Sequence, residues 1–246
     1  MTDLHSPKRS SVLRQLGAAL MLVLVMAIMV LALPLIRSLL FQPFNNPSGS
    51  MMPTLLVGDY FFVSKFAYGY SRYSFPFSPP LFSGRIIGSA PARGDVVVFR
   101  LPRNDSTDYV KRVVGLPGDK IQMIDGLLYI NGTPVKRERV EDYVGMEEGP
   151  GVKYIKRWKE TLPNGASYYT LDLIENSFYD NTPVYTVPPD HYFMMGDNRD
   201  NSTDSRVFSQ IGYIPIDHIV GRVAIIFFSI RDSEDVRWDR LFKRVE

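Results

Sequence analysis

Residues 16–36 of this 246-residue chain, LGAALMLVLVMAIMVLALPLI, run 21 positions without a charge. A helix rises about 1.5 Å per residue, so this stretch is long enough for the roughly 30 Å hydrocarbon core of a bilayer. A helix buried in a soluble core is rarely apolar on every face over such a length, and a cleavable secretory segment has an apolar region of only about 7–15 residues. The RSLLFQP that follows has no clear small-x-small cleavage site. The segment is predicted to be a single transmembrane helix, with Pro34 near its far end where a kink is tolerated. Lys8, Arg9 and Arg14 precede it, whereas Arg37 is the only basic residue between it and Lys65. That asymmetry puts the tail 1–15 in the cytoplasm and everything beyond about residue 38 across the membrane.

The remainder has material for one sizeable core or two small ones, with 45% hydrophobic and 22% charged residues in the whole chain. A net charge of +2, from 28 basic and 26 acidic residues, gives no footprint for nucleic acid. The absence of cysteine removes disulfides, thiol catalysis and thiolate metal sites together. Histidine occurs only at His5, His191 and His218, which limits the choice of a general base.

Beyond the anchor, short runs rich in β-branched and aromatic residues alternate with Gly, Pro, Asn and Asp. Strands are expected at 60–66, 95–100, 109–114, 120–124, 127–130, 192–195 and 220–228, with hairpin signals at Asp125-Gly126 and Asn131-Gly132. The fold class is therefore mainly β: an antiparallel catalytic sheet domain from 38–120 and 191–246, with a smaller β-rich domain, 121–190, inserted into it. The charges of the inserted stretch read as a solvated face. Residues 68–91, full of aromatics, Pro and Ser, suit either a membrane interface or a loop stapled to its own sheet.

Three stretches carry groups fit for chemistry. PSGSMMPT offers Ser48 and Ser50 in what is also ordinary loop sequence. A serine nucleophile needs a base. His5 lies on the wrong side of the membrane, and His191 and His218 sit in no supporting motif, so a Ser-His-Asp triad has little support. Lys111, in YVKRVV, shares a strand face with Tyr109 and Val113, while Arg112 points to the other face. Burial there would lower its pKa, as a lysine base requires, although a lysine snorkelling from a sheet edge has the same sequence. GDNRDNSTDSR, residues 196–206, lacks the glycine and terminal Glu of an EF-hand loop and reads as an Asx-rich loop or a hydrogen-bonded scaffold able to orient a neutral amine.

SGSMMPTL, GDVVVFR, YVKRVVGLPGDK and GDNRDNSTDSR, in that order behind an anchor, resemble bacterial type I signal peptidases, the Ser/Lys endopeptidases of the leader peptidase group. The resemblance covers the ectodomain outside 121–190. It implies Ser50 as nucleophile, Lys111 as general base, and Ser48 as side-chain oxyanion donor beside the Ser50 N–H. It further implies Ser202 as the hydroxyl that orients the lysine, and Asp204 with Arg206 as a structural pair. No cofactor or metal is implied. The expected substrates are preprotein signal peptides with small residues at −1 and −3, cut at the outer face of the cytoplasmic membrane. Some relatives carry two anchoring segments where this chain shows one. The competing expectations are a self-cleaving Ser/Lys repressor-type protease, disfavoured by the anchor, and a noncatalytic membrane-tethered β-module.

Overall fold

The computed structural model describes residues 8–75, 77–80, 82–146, 152–231 and 235–246. Residues 1–7 of the tail expected at 1–15 lie outside them. Helix α1 covers Lys8–Leu39, longer at both ends than the uncharged segment, and the large apolar side chains from Leu16 to Val30 are exposed along it. Among the described residues no helix is long and apolar enough to cross a membrane.

Among the described residues fifteen strands follow: β1 Phe41–Asn45, β2 Asp59–Ser64, β3 Val96–Leu101, β4 Asn104–Gly115, β5 Lys120–Ile124, β6 Leu127–Ile130, β7 Thr133–Pro134, β8 Lys136–Arg139, β9 Tyr143–Met146, β10 Val152–Thr161, β11 Ser167–Asp172, β12 Tyr185–Thr186, β13 His191–Met195, β14 Ile214–Pro215 and β15 Ile219–Ser229. The largest sheet has seven strands in the order β1-β2-β15-β3-β4-β13-β14, with antiparallel pairings throughout. β3 shows why its VVVF run has no polar alternation: Val96 and Val98 enter one buried cluster with Phe61, Val63 and Val223, while Val97 and Phe99 enter another with Val113, Met194 and Ile219. A strand covered on both faces reads as a continuous apolar run.

β5 and β6 turn at Asp125-Gly126 and β6 and β7 at Asn131-Gly132, all four residues at positive φ. These are the left-handed conformations that a two-residue hairpin needs. β4 begins five residues before the expected start, because its polar tip, Asn104 to Asp108, pairs back onto β3. β1 is absent from the sequence-based set. Pro43 masks it, and an edge strand accommodates a proline.

Residues 121–190 hold the two other sheets, β12-β5-β6-β7 and β11-β10-β8 with β9 beside β10. The chain leaves and returns at one neck, where Gly118 N–H donates to Val187 O at 2.9 Å and Val187 N–H to Asp119 O at 2.8 Å. Ile121, Met123, Leu128, Leu162 and Tyr168 share a buried cluster with Val114, Phe193 and Met195 of the large sheet. The charges of this region are not all solvated, contrary to expectation. Glu160 is fully buried, because β8 and β11 cover it from both sides and Arg199 and Tyr168 bind its carboxylate. Residues 68–91 are stapled to the sheet by Tyr68, whose hydroxyl donates to Asp95 at 2.6 Å, and by Arg85, which donates to four backbone carbonyls. Phe77 and Ile87 of the same stretch remain exposed.

Candidate active site

Ser50 lies in a single 3-10 turn, Gly49–Met51, between β1 and β2. Two apolar anchors hold the turn, since Met51 and Leu55 are wholly buried in the cluster beneath β2, β3 and β15. From the other side Asn198 clamps it: its N–H donates to Ser50 O at 3.1 Å and its side-chain amide to Gly49 O at 3.0 Å. The approach is close enough to demand a glycine at 196. A Cβ there would stand 2.6 Å from Ser50 O and 2.2 Å from Ser202 Oγ.

Lys111 reaches this turn from the middle of β4, its Nζ 2.6 Å from Ser50 Oγ and 2.9 Å from Val110 O. It is 3% exposed. Burial pulls its pKa down, the carboxylates of Asp204 and Asp197 oppose that, and Arg206 adds to it, leaving the group at about 8. Alternation along β4 places the ammonium over the Tyr109 ring and sends Arg112 through the opposite face. There Arg112 makes two 2.8 Å contacts with the Asp197 carboxylate and stacks 4.1 Å from the Tyr168 ring centre.

Ser48 Oγ, on the exposed side of the turn, is 3.1 Å from Ser50 Oγ. Ser202 lines the same cavity, and its Oγ is buried with no hydrogen-bond partner among the described residues. It still lies close enough to Asp204 to favour that carboxylate's charged form. Asp204 and Arg206 sit behind the cavity as a buried bidentate pair, with contacts of 2.9 and 2.8 Å. Burial works against the Asp204 charge, but Arg206 outweighs it, aided by the Gly196 N–H and the Ser202 hydroxyl, and holds the carboxyl below its usual range. The cavity, about 600 Å³, brings together Ser48, Ser50, Lys111 and Ser202 between apolar Phe44, Phe61, Val98 and Val110 and polar Asp200, Asn201 and Gln210.

His191 and His218 line no part of this cavity; their Nδ1 atoms rest on the carbonyls of Pro189 and Arg100. Among the described residues no group of three or more His, Cys, Asp or Glu is placed to hold a metal ion.

A protein-family profile described as "Signal peptidase, peptidase S26" matches residues 18–228. The chain is 47% identical over 204 residues to a signal peptidase I of Rickettsia typhi and 48% identical over 205 residues to that of Rickettsia conorii; each match covers 80% of this chain and 75% of the relative. The chain belongs to the signal peptidase I family. A crystal structure of a signal peptidase I from Enterococcus faecalis V583 matches with 26% identity and a TM-score of 0.31, over 55% of this chain and 97% of that one. As a signal peptidase I, the protein is a serine endopeptidase.

Sequence reasoning missed the supports of the site. Arg112 stood out only as the residue facing away from Lys111, and Asp197, Asn198 and Arg199 only as polar loop residues. Their bonds to the Ser50 turn, to Arg112 and to Glu160 join segments between 39 and 149 positions apart in the chain, and no local pattern signals them.

Proposed function

We propose that the chain removes signal peptides from exported preproteins with a Ser50/Lys111 dyad. The observation that carries the reading is the 2.6 Å approach of Ser50 Oγ to a lysine buried deeply enough to hold its pKa at about 8. Neutral Lys111 takes the Ser50 proton as Oγ attacks the scissile carbonyl, and the oxyanion forms between the Ser48 hydroxyl and the Ser50 N–H. The Lys111 ammonium then protonates the departing amine, leaving an ester on Ser50. Water, deprotonated by Lys111, hydrolyses that ester and restores the serine. The family resemblance supports Ser202, which lines the cavity with Lys111 while its hydroxyl bonds no described residue in this structure, as the group that orients the lysine amine once substrate is bound, and Asp204 with Arg206 keeps the 196–206 loop in place.

Residues 16–36 anchor the protein once in the cytoplasmic membrane, with the tail 1–15 inside, the catalytic parts 38–120 and 191–246 outside, and 121–190 as a smaller inserted unit. The uncharged length and the Lys/Arg asymmetry support this topology. The test is cleavage of a synthetic signal-peptide substrate by the detergent-solubilised chain. Ser50→Ala and Lys111→Met are expected to fold and to lose roughly a thousandfold or more in kcat/KM. Cleavage surviving in either variant excludes the dyad, and a wild-type chain that cleaves nothing favours the noncatalytic module.

A further inference from the structure

The inserted region reaches the catalytic cavity itself. The turn after β11 contributes Tyr179 to the cavity wall, and the Tyr179 ring lies under the Arg206 guanidinium at 5.6 Å. Its neighbour Phe178 stands 86% exposed, its ring edge-on to Tyr179 at 4.9 Å. The turn is fixed at both ends. Asp200 of the site loop accepts the N–H groups of Leu173 and Ile174 at 2.7 and 3.0 Å. Asp180 accepts the Ser177 N–H at 2.7 Å, and Asn181 and Thr182 accept the N–H groups of Asp125 and Met123 at 3.0 Å each. An aromatic pair held this firmly, with one ring left in solvent, is pre-organised to bury apolar surface against something outside the fold.

We propose that Tyr179 and Phe178 bind the substrate segment that follows the cleaved bond, the mature-protein side. The assignment rests on the peptidase reading above and gives the inserted region a part in specificity. Its direction comes from the sheet. β1, whose Phe44 and Asn45 line the cavity together with the following Asn46, continues directly from helix α1 and forms one edge of the seven-stranded sheet. An apolar signal peptide held in the same bilayer as α1 enters from that edge. The loop carrying Asp200 and Asn201 follows β13, near the opposite edge, and Tyr179 lies with that loop. The departing chain therefore runs toward the turn.

The test uses two synthetic peptides with the same signal-peptide half, one ending a single residue after the cleavage site and one continuing for several residues that include an aromatic. The readout is the ratio of kcat/KM, long peptide over short, for the 246-residue chain in detergent. Wild type is expected to favour the long peptide, and Phe178→Ala and Tyr179→Ala to lower the ratio, roughly fivefold when combined. A wild-type ratio near one, or a ratio unchanged in both variants, including by equal loss on both peptides, overturns the assignment. Lys111→Met run alongside separates the two failures. Cleavage surviving in it overturns the dyad, whereas its loss together with unchanged ratios overturns the role of the aromatic pair alone.

Discussion

Lys111 sits where an ammonium is costly, and the cost sets both its reactivity and its effect on stability. With the group at about 8, log kcat/KM is expected to rise with pH up to about 8 and level off above it, where the amine is neutral. A profile flat through that range, with chemistry shown to limit the rate, counts against Lys111 as the base. The stability sign follows from the same numbers. The folded pKa lies below the unfolded value of about 10.4, so between the two the unfolded chain binds the extra proton and stability rises with pH; below about 8 the full penalty of roughly 3 kcal/mol is present. Lys111→Met should thus melt higher than wild type at pH 7, with the gap closing toward pH 10.5. Gly196 constrains the same site by its emptiness. Gly196→Ala must displace either Ser50 or Ser202, and a shift of about 1 Å at a reacting group is worth roughly a hundredfold in rate. Full activity in that variant would show that the clamp on the Ser50 turn relaxes freely. The two faces of β4 were legible from alternation alone; the necessity of Gly196 was not, because it depends on two loops meeting.

The β10–β11 hairpin behaves as a foundation for the site loop. Leu171 N–H donates to Asp197 O at 2.9 Å and Arg199 N–H to Leu171 O at 3.0 Å, which makes a parallel bridge between β11 and the loop. Beneath it Arg199 pairs with Glu160, and the Arg199 carbonyl accepts from Arg206 at 2.6 Å, so the ionic chain reaches Asp204. Removing one partner of a buried ion pair typically costs about 3–5 kcal/mol, because the other charge is left uncompensated. Glu160→Gln is expected to lower the unfolding free energy by that order in denaturant titration. A loss below about 1 kcal/mol would mean that Arg199 finds another acceptor, such as water. The sequence KRWKE looks like a solvated run because four of its five residues are polar. Only the neighbours supplied by β8, β11 and the site loop decide which one is inside.

At the scale of the molecule, one apolar helix leads within a few residues into the edge strand that borders the cavity, since β1 starts at Phe41 and α1 ends at Leu39. A shared membrane raises the effective concentration of enzyme and substrate without any new contact. With the full chain reconstituted in vesicles, a preprotein in the same vesicles is expected to be cut at least roughly tenfold faster than one in separate vesicles at equal bulk concentration. Equal rates would overturn the proposed anchoring by residues 16–36 as a contribution to catalysis. What the sequence determined by itself were properties set within a few residues of chain: the uncharged length of 16–36, the alternation that separates Lys111 from Arg112, the Asp-Gly and Asn-Gly turns, and the four blocks that mark the family. What only the tertiary structure decided were properties set between distant segments. The burial that brings Lys111 to about 8, the clamp of Asn198 on the Ser50 turn, the buried Glu160–Arg199 pair and the entry of Tyr179 into the cavity all depend on surfaces that meet only when the sheets pack, and burial and charge pairing are properties of such meetings.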